Sequence, residues 1–283
     1  MQYKAYIRLA RLHRPVGIWL LLFPCWWGLA LSSTALPSPF LLLVFTCGAL
    51  LMRSAGCVYN DIIDRDLDRQ VKRTATRPLA RGELSSKEAS IFLVALLMSA
   101  ALLLFSLPSS VILTGIIALA LVLLYPWMKQ FTYWPQLFLG LTFNIGILMG
   151  WLFLKSPFSP VPFLFYGGAI LWTIGYDTIY AFQDKEDDLL AGIKSSALVV
   201  ASAPKVFLCF TYGLALILWA MGGIAAQLKQ PYWIFLSFIM IHFLWQISSL
   251  KENIANNCLK RFESNAQIGI FLFIGIVFSR LIN

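Results

Sequence analysis

The chain has 283 residues, 59% of them hydrophobic and 12% charged, where a soluble globular domain carries roughly 25% charge; an ordinary water-soluble fold is excluded and an integral membrane protein is indicated. Its net charge of +9 suits anionic lipid headgroups. Acids interleave with the bases and no nucleic-acid motif is present, so a DNA or RNA partner is excluded as well.

Apolar segments of about 20 residues predict an all-α chain of nine transmembrane helices, near 16–34, 40–60, 90–107, 109–126, 135–154, 162–182, 205–222, 231–249 and 266–282. The basic N-terminus ahead of the first run resembles a signal peptide, but the run is of spanning length and eight more follow. It is read as a retained helix. No Arg- and Ser-rich amphipathic leader precedes it, which favours a bacterial inner membrane over an organelle. Eighteen of the 22 Lys and Arg fall on one side, in 1–14, 61–88, 129, 183–205 and 250–264. Lys155, Lys229 and Arg280 lie opposite and Arg53 lies inside the second span. The positive-inside rule therefore puts the N-terminus and the large loops in the cytoplasm. Opposite-side connections, such as Pro37-Ser38-Pro39 and Ser156-Pro157-Phe158-Ser159-Pro160, are short and Pro-marked. No soluble domain is visible, so residues 1–283 read as one integral-membrane domain.

Two carboxylate clusters stand where long apolar runs end: Asn60-Asp61-Ile62-Ile63-Asp64-Arg65-Asp66-Leu67-Asp68 closes the second span, and Asp184-Lys185-Glu186-Asp187-Asp188 closes the sixth. The four-span interval hints at an internal repeat. On helical spacing Asp61, Asp64 and Asp68 share one face, as do Asp177, Asp184 and Asp188. A solvated helix cap accounts for Asp66, which sits off that face between Arg65 and Arg69. It does not account for the others. An acid as deep as Asp177 is costly without a compensating charge, and paired acidic faces at one boundary call for a cation. Hard Mg²⁺ takes oxygen ligands and is commonly shared between carboxylates and phosphates, so the pattern suggests a bridged diphosphate.

Basic donors for a diphosphate are at hand in Lys72, Arg73, Arg77, Arg81 and Lys129, although positive-inside anchoring explains any one of them equally well. Arg53 lies two turns before Asn60, and an intramembrane Arg needs a partner or a cavity. Asp177 could pair with it; so could the carboxylate of an organic substrate, held in a bidentate contact. The five Cys, at 25, 47, 57, 209 and 258, are odd in number without paired spacing and read as buried small hydrophobes. Trp and Tyr near span ends (Trp26-Trp27, Tyr125 to Trp127, Tyr133-Trp134, Tyr232-Trp233) read first as interfacial belts, with rings near the carboxylates able instead to face a cavity and stabilise a cation.

These residues resemble the UbiA superfamily of intramembrane prenyltransferases, and most nearly its 4-hydroxybenzoate polyprenyltransferases. The resemblance covers nearly the whole chain and is carried by Arg14-Pro15-Val16-Gly17, by Met52 to Asp61 running into Asp64 and Asp68, by Lys72 to Leu79, by Tyr125 to Lys129, by Pro135-Gln136, and by Tyr176 to Ala181 running into Asp184, Asp188 and Gly192 to Ser196. It implies nine helices around a central cavity with cytoplasmic cap segments and a lateral opening for a lipid tail. It further implies Mg²⁺ held by Asn60, Asp64, Asp184 and Asp188, with Asp61 and Asp68 supporting. Lys72, Arg73, Arg77, Tyr125 and Lys129 would bind the diphosphate of a polyprenyl diphosphate. Arg53, Arg14 and Tyr180 would bind a small aromatic acid, in a ubiquinone-forming reaction. The ring proton is left to Asp184, Asp177 or the diphosphate. One departure is Gln130, where related enzymes often follow the Lys with Arg; a base that could recognise substrate is missing. A cation transporter would use the same acids, but every acid lies toward one face, leaving the other half without a relay. No obligate protein partner is inferable.

Overall fold

A computed structural model describes residues 2–154 and 158–282. The predicted connection through Ser156-Pro157 and the position of Lys155 fall outside the described residues. Every regular element among them is helical: α1 (Gln2–Leu9), α2 (Val16–Ser32), α3 (Pro39–Ile63), α4 (Arg65–Asp68), α5 (Ser86–Phe105), α6 (Ser109–Phe131), α7 (Pro135–Asn144), α8 (Gly146–Phe153), α9 (Val161–Ala181), α10 (Lys185–Ala191), α11 (Ser196–Val199), α12 (Pro204–Ala225), α13 (Gln230–Ser249) and α14 (Ala255–Leu281). The long helices start with recognisable local chemistry. Pro occupies the first turn of α3, α7, α9, α12 and α13, where its missing N–H costs nothing. Ser85 and Glu88 form a reciprocal capping box at α5.

Seven of the described rods are long and apolar enough to cross a membrane, counting α7 and α8 as one. The expectation of nine is reduced on that measure because α2 has 17 residues and α9 carries Gly, Thr, Tyr and Asp among its apolar residues. Both bury much of their surface against neighbouring helices. A helix wrapped by other helices needs no lipid-facing apolar surface all round.

Successive rods pack into a closed ring: α2 on α3, α3 on α5, α5 on α6, α6 on α7 and α8, α7 on α9, α9 on α12, α12 on α13, α13 on α14, and α14 back on α2. The seam between α5 and α6 is the loosest. Lipid-facing residues such as Leu102, Phe105 and Leu113 are largely exposed there. Where α2 meets α8 the backbones almost touch, since a Cβ added to Gly150 would lie 2.7 Å from the Leu29 amide nitrogen; in lipid, small residues permit such approach and the dispersion gain it brings. The break between α7 and α8 is stitched by Asn144, whose amide donates to Gly140 O at 2.8 Å and to Thr173 Oγ1 at 2.8 Å.

Two sequence expectations are corrected by this packing. Trp27 and Tyr232 belong to the core and not to an interfacial belt, because their polar atoms find partners inside: Trp27 donates to Gly269 O at 2.9 Å and Tyr232 to Trp219 O at 2.7 Å. Cys25, Cys57 and Cys258 are buried, but Cys47 and Cys209 are exposed on the bundle exterior, where a thiol facing lipid loses little. At the end bearing both acidic motifs, α1 packs Ala5 and Leu9 against Val58, Leu79, Leu84 and Ala89. This forms a cap over the ring.

Candidate active site

Neither acidic motif lies on one continuous helix. Helix α3 stops at Ile63 and α4 starts at Arg65, leaving Asp64 between them at φ −89°, ψ 1°; α9 stops at Ala181 and passes through a 3-10 turn (Phe182–Asp184) into α10. The acids of the first motif nevertheless stay in helical step, because Asp64 N–H donates to Asn60 O at 2.9 Å and Asp68 N–H to Asp64 O at 2.7 Å.

Both motifs meet around a polar chamber of about 210 Å³, into which Asn60, Asp64, Asp68, Asp184, Asp188 and Lys129 face. Bases already engage most of the acids. Lys129 pairs with Asp64. Arg73 grips Asp184 through both oxygens, at 2.7 and 2.5 Å, and donates to the Tyr180 hydroxyl at 2.9 Å. Arg77 bridges Asp68 at 2.7 Å and Asp61 at 3.1 Å, and Arg11 completes Asp61 at 2.8 Å. Among the described residues no group of three Asp, Glu, His or Cys side chains is placed to hold one ion.

Two features still suit a hard divalent cation. Asp64 Oδ1 is buried without a hydrogen-bond partner, and Asp188 is buried without an ion pair among the described residues. Burial, then the neighbouring Asp184 charge, pushes the Asp188 carboxyl up to about 7. Burial also raises Asp64 despite Lys129. The carboxylates and the Asn60 amide present oxygen donors, which Mg²⁺ requires, so the residues fit that group.

Two candidates lie apart from the chamber lining. Asp61 faces the larger cavity, not this chamber, and its oxygens are taken by two Arg; it was placed among the metal ligands because helical spacing cannot show which neighbour reaches it first. Lys72 is exposed and lines neither cavity; its backbone N–H donates to Asp187 Oδ2 at 3.1 Å. The turn after α4 carries its side chain outward, away from the chamber. Gln130 is also exposed and outside both cavities, so the departure there leaves the cavity lining untouched.

The chamber shares Asn60, Arg73, Arg77, Tyr125, Asp177 and Tyr180 with a cavity of about 790 Å³. That cavity has Arg53, Arg14 and Asp177 at its polar end and apolar residues such as Phe45, Leu103, Leu119 and Met149 elsewhere. Arg14 is exposed, at the rim. The Arg53 guanidinium lies 5.2 Å from the Phe143 ring centre, its Nε is buried without a partner, and among the described residues no carboxylate pairs with it. Pairing with Asp177 is therefore not realised. Sequence reasoning missed Arg11, which read as topogenic charge, and Phe143, which read as one more apolar residue of a span.

The sequence profile of the UbiA prenyltransferase family matches residues 21–275. The chain belongs to that family. Among curated UbiA relatives, the mitochondrial 4-hydroxybenzoate polyprenyltransferase of Caenorhabditis elegans is 44% identical over 99% of this chain and 79% of its own length, and that of Bos taurus is 43% identical over 98% and 75%. An apo UbiA homolog from Aeropyrum pernix K1 superposes with a TM-score of 0.79 at 23% identity, covering 92% of this chain and 97% of its own. A UbiA homolog from Archaeoglobus fulgidus bound to GPP and Mg²⁺ gives a TM-score of 0.74 at 21% identity, covering 99% and 100%. These structures establish the fold.

Proposed function

We propose that this UbiA protein, working as a single intramembrane domain, transfers a polyprenyl group from polyprenyl diphosphate to the ring carbon ortho to the hydroxyl of 4-hydroxybenzoate, a step of ubiquinone formation. One observation carries the reading: a polar chamber lined by both acidic motifs opens into a largely apolar cavity that holds an unpaired Arg53. The names of the curated relatives support it.

Asn60, Asp64, Asp184 and Asp188, with Asp68 alongside, would hold Mg²⁺, which supplies positive charge against the leaving diphosphate. Arg73, Arg77 and Lys129 release their carboxylates and turn to phosphate oxygens, with Tyr125 beside them. The apolar cavity takes the prenyl tail and keeps water from the allylic carbon. Arg53, with Arg14 at the rim and Tyr180 beneath Arg73, orients the acceptor carboxylate. As the C1–O bond breaks, its electron pair leaves with the diphosphate; the ring carbon forms the new C–C bond and the ring then loses a proton. Asp184 would be engaged in holding Mg²⁺, whereas Asp177 lines both cavities without an ion pair among the described residues and is the better placed to take that proton.

The reaction face is the basic, interior side of the membrane. That side is cytoplasmic in the bacterial inner membrane expected from the sequence, and the matrix side if the chain is mitochondrial like its relatives.

Purified protein in detergent, given Mg²⁺, geranyl diphosphate and a panel of aromatic acceptors, should yield prenylated 4-hydroxybenzoate by mass spectrometry. Product from another acceptor alone would move the assignment within the family, and Mg²⁺- or proton-coupled flux in proteoliposomes without product would replace enzyme with transporter. Arg53→Ala should raise the KM for 4-hydroxybenzoate by about 10-fold or more, the loss of a charge-assisted hydrogen bond, with the donor KM unchanged.

Metal binding should depend on pH with a defined sign. A proton on Asp188 competes with the cation, so with its carboxyl at about 7 Mg²⁺ affinity is full above that value and falls by about tenfold per unit below it. Calorimetric titration at pH 6 and pH 8, in buffers of different ionisation enthalpy, should show proton release on binding at the lower pH and little at the higher.

A further inference from the structure

Arg11, Arg73, Arg77 and Lys129 are each steered by a carboxylate. Arg53 is not. Its guanidinium lies between Gly17 and Phe143: a Cβ added to Gly17, in the first turn of α2, would lie 2.5 Å from Nε, 2.6 Å from Nη2 and 2.9 Å from Cζ of Arg53, and Phe143 of α7 presents its ring 5.2 Å away in a cation–π contact. The three nearest atoms to that added Cβ all belong to the guanidinium. A methyl group at residue 17 therefore meets first the end of one flexible side chain.

A planar guanidinium recognises a carboxylate through two parallel N–H bonds only when its plane is correctly turned, and a group already restrained in that plane loses less freedom on binding. We propose that Gly17 and Phe143 are positioning residues that set the plane of Arg53. Together they make the cavity select an aromatic carboxylate over a neutral phenol. The inference rests on the proposed function and adds to it the residues that decide acceptor specificity.

The test compares wild type, Gly17→Ala, Phe143→Leu, Arg53→Lys and the Gly17→Ala/Arg53→Lys double variant, in detergent with Mg²⁺ and geranyl diphosphate. KM and kcat are measured for 4-hydroxybenzoate and for its neutral amide, with the donor KM and thermal melting alongside. Gly17→Ala should raise the 4-hydroxybenzoate KM by about 10-fold, leave the donor KM and melting unmoved, and reduce the preference for the acid over the amide by the same factor. Phe143→Leu should act in the same direction and carries the test if Gly17→Ala fails to fold. In the Arg53→Lys background the Gly17 change should add little, since the plane it orients is gone.

An unaltered 4-hydroxybenzoate KM in the folded variants overturns the inference, as does a parallel rise in acceptor and donor KM with lowered melting, which marks a packing role. Wild type that makes no product from 4-hydroxybenzoate overturns the functional reading as well. Wild-type product with an unaffected Gly17→Ala variant overturns this inference alone.

Discussion

Asp64→Asn and Asp188→Asn should each lower turnover by about 1,000-fold, the scale of losing a preorganised electrostatic group in a water-poor site, while the protein stays folded. Both side chains are buried and line the chamber shared by the two acidic motifs. Asn keeps their shape and removes the negative charge. Stability should not suffer, because a buried carboxylate is expensive to desolvate and Asp188 has no ion pair to lose among the described residues. Lys129, released from Asp64 in the first variant, still faces the chamber. Product formation by mass spectrometry, melting in detergent and calorimetric Mg²⁺ binding decide the matter together: turnover and metal affinity should collapse while melting holds. Near-normal turnover in either variant removes that residue from the reaction.

Arg77→Ala has the largest expected effect on stability. One guanidinium nitrogen contacts both Asp68 and Asp61, and Asp61 is 1% exposed. Without Arg77, Asp61 keeps Arg11 while Asp68 loses its ion-pair partner among the described residues, and removing one partner of a buried pair costs about 3–5 kcal/mol. The lower end applies, since Arg11 stays. Melting temperature should fall clearly and the donor KM should rise. Arg77→Lys should recover part of the loss by restoring charge without the planar fork. In an Asp68→Asn background Arg77→Ala should cost less than in wild type, the signature of a direct pair; equal cost in both backgrounds would place the effect elsewhere.

The acidic motifs, the basic loop and Arg53 were legible because charge at the edge of an apolar span has few bland explanations. Their partners were not. Helical spacing put Asp61 with the metal ligands, yet the fold brings Arg11 from α1 and Arg77 from the following loop onto its oxygens. Lys72 and Arg73 are neighbours of one chemical type, and only the turn that follows α4 decides that Arg73 reaches Asp184 while Lys72 points to solvent. Phe143 was invisible for the opposite reason, being one aromatic among many in a membrane chain.

Composition and charge asymmetry alone determined that the chain lives in a membrane, which end of the bundle faces the basic side and which carboxylates gather there, because bilayer thickness and the cost of buried charge act directly on the linear order of residues. Tertiary packing decided which base holds which acid, that Trp27 and Tyr232 turn inward, and that Arg53 is braced by Gly17 and Phe143. Those outcomes depend on contacts between helices far apart in the chain, at distances of a few ångströms that no local pattern encodes.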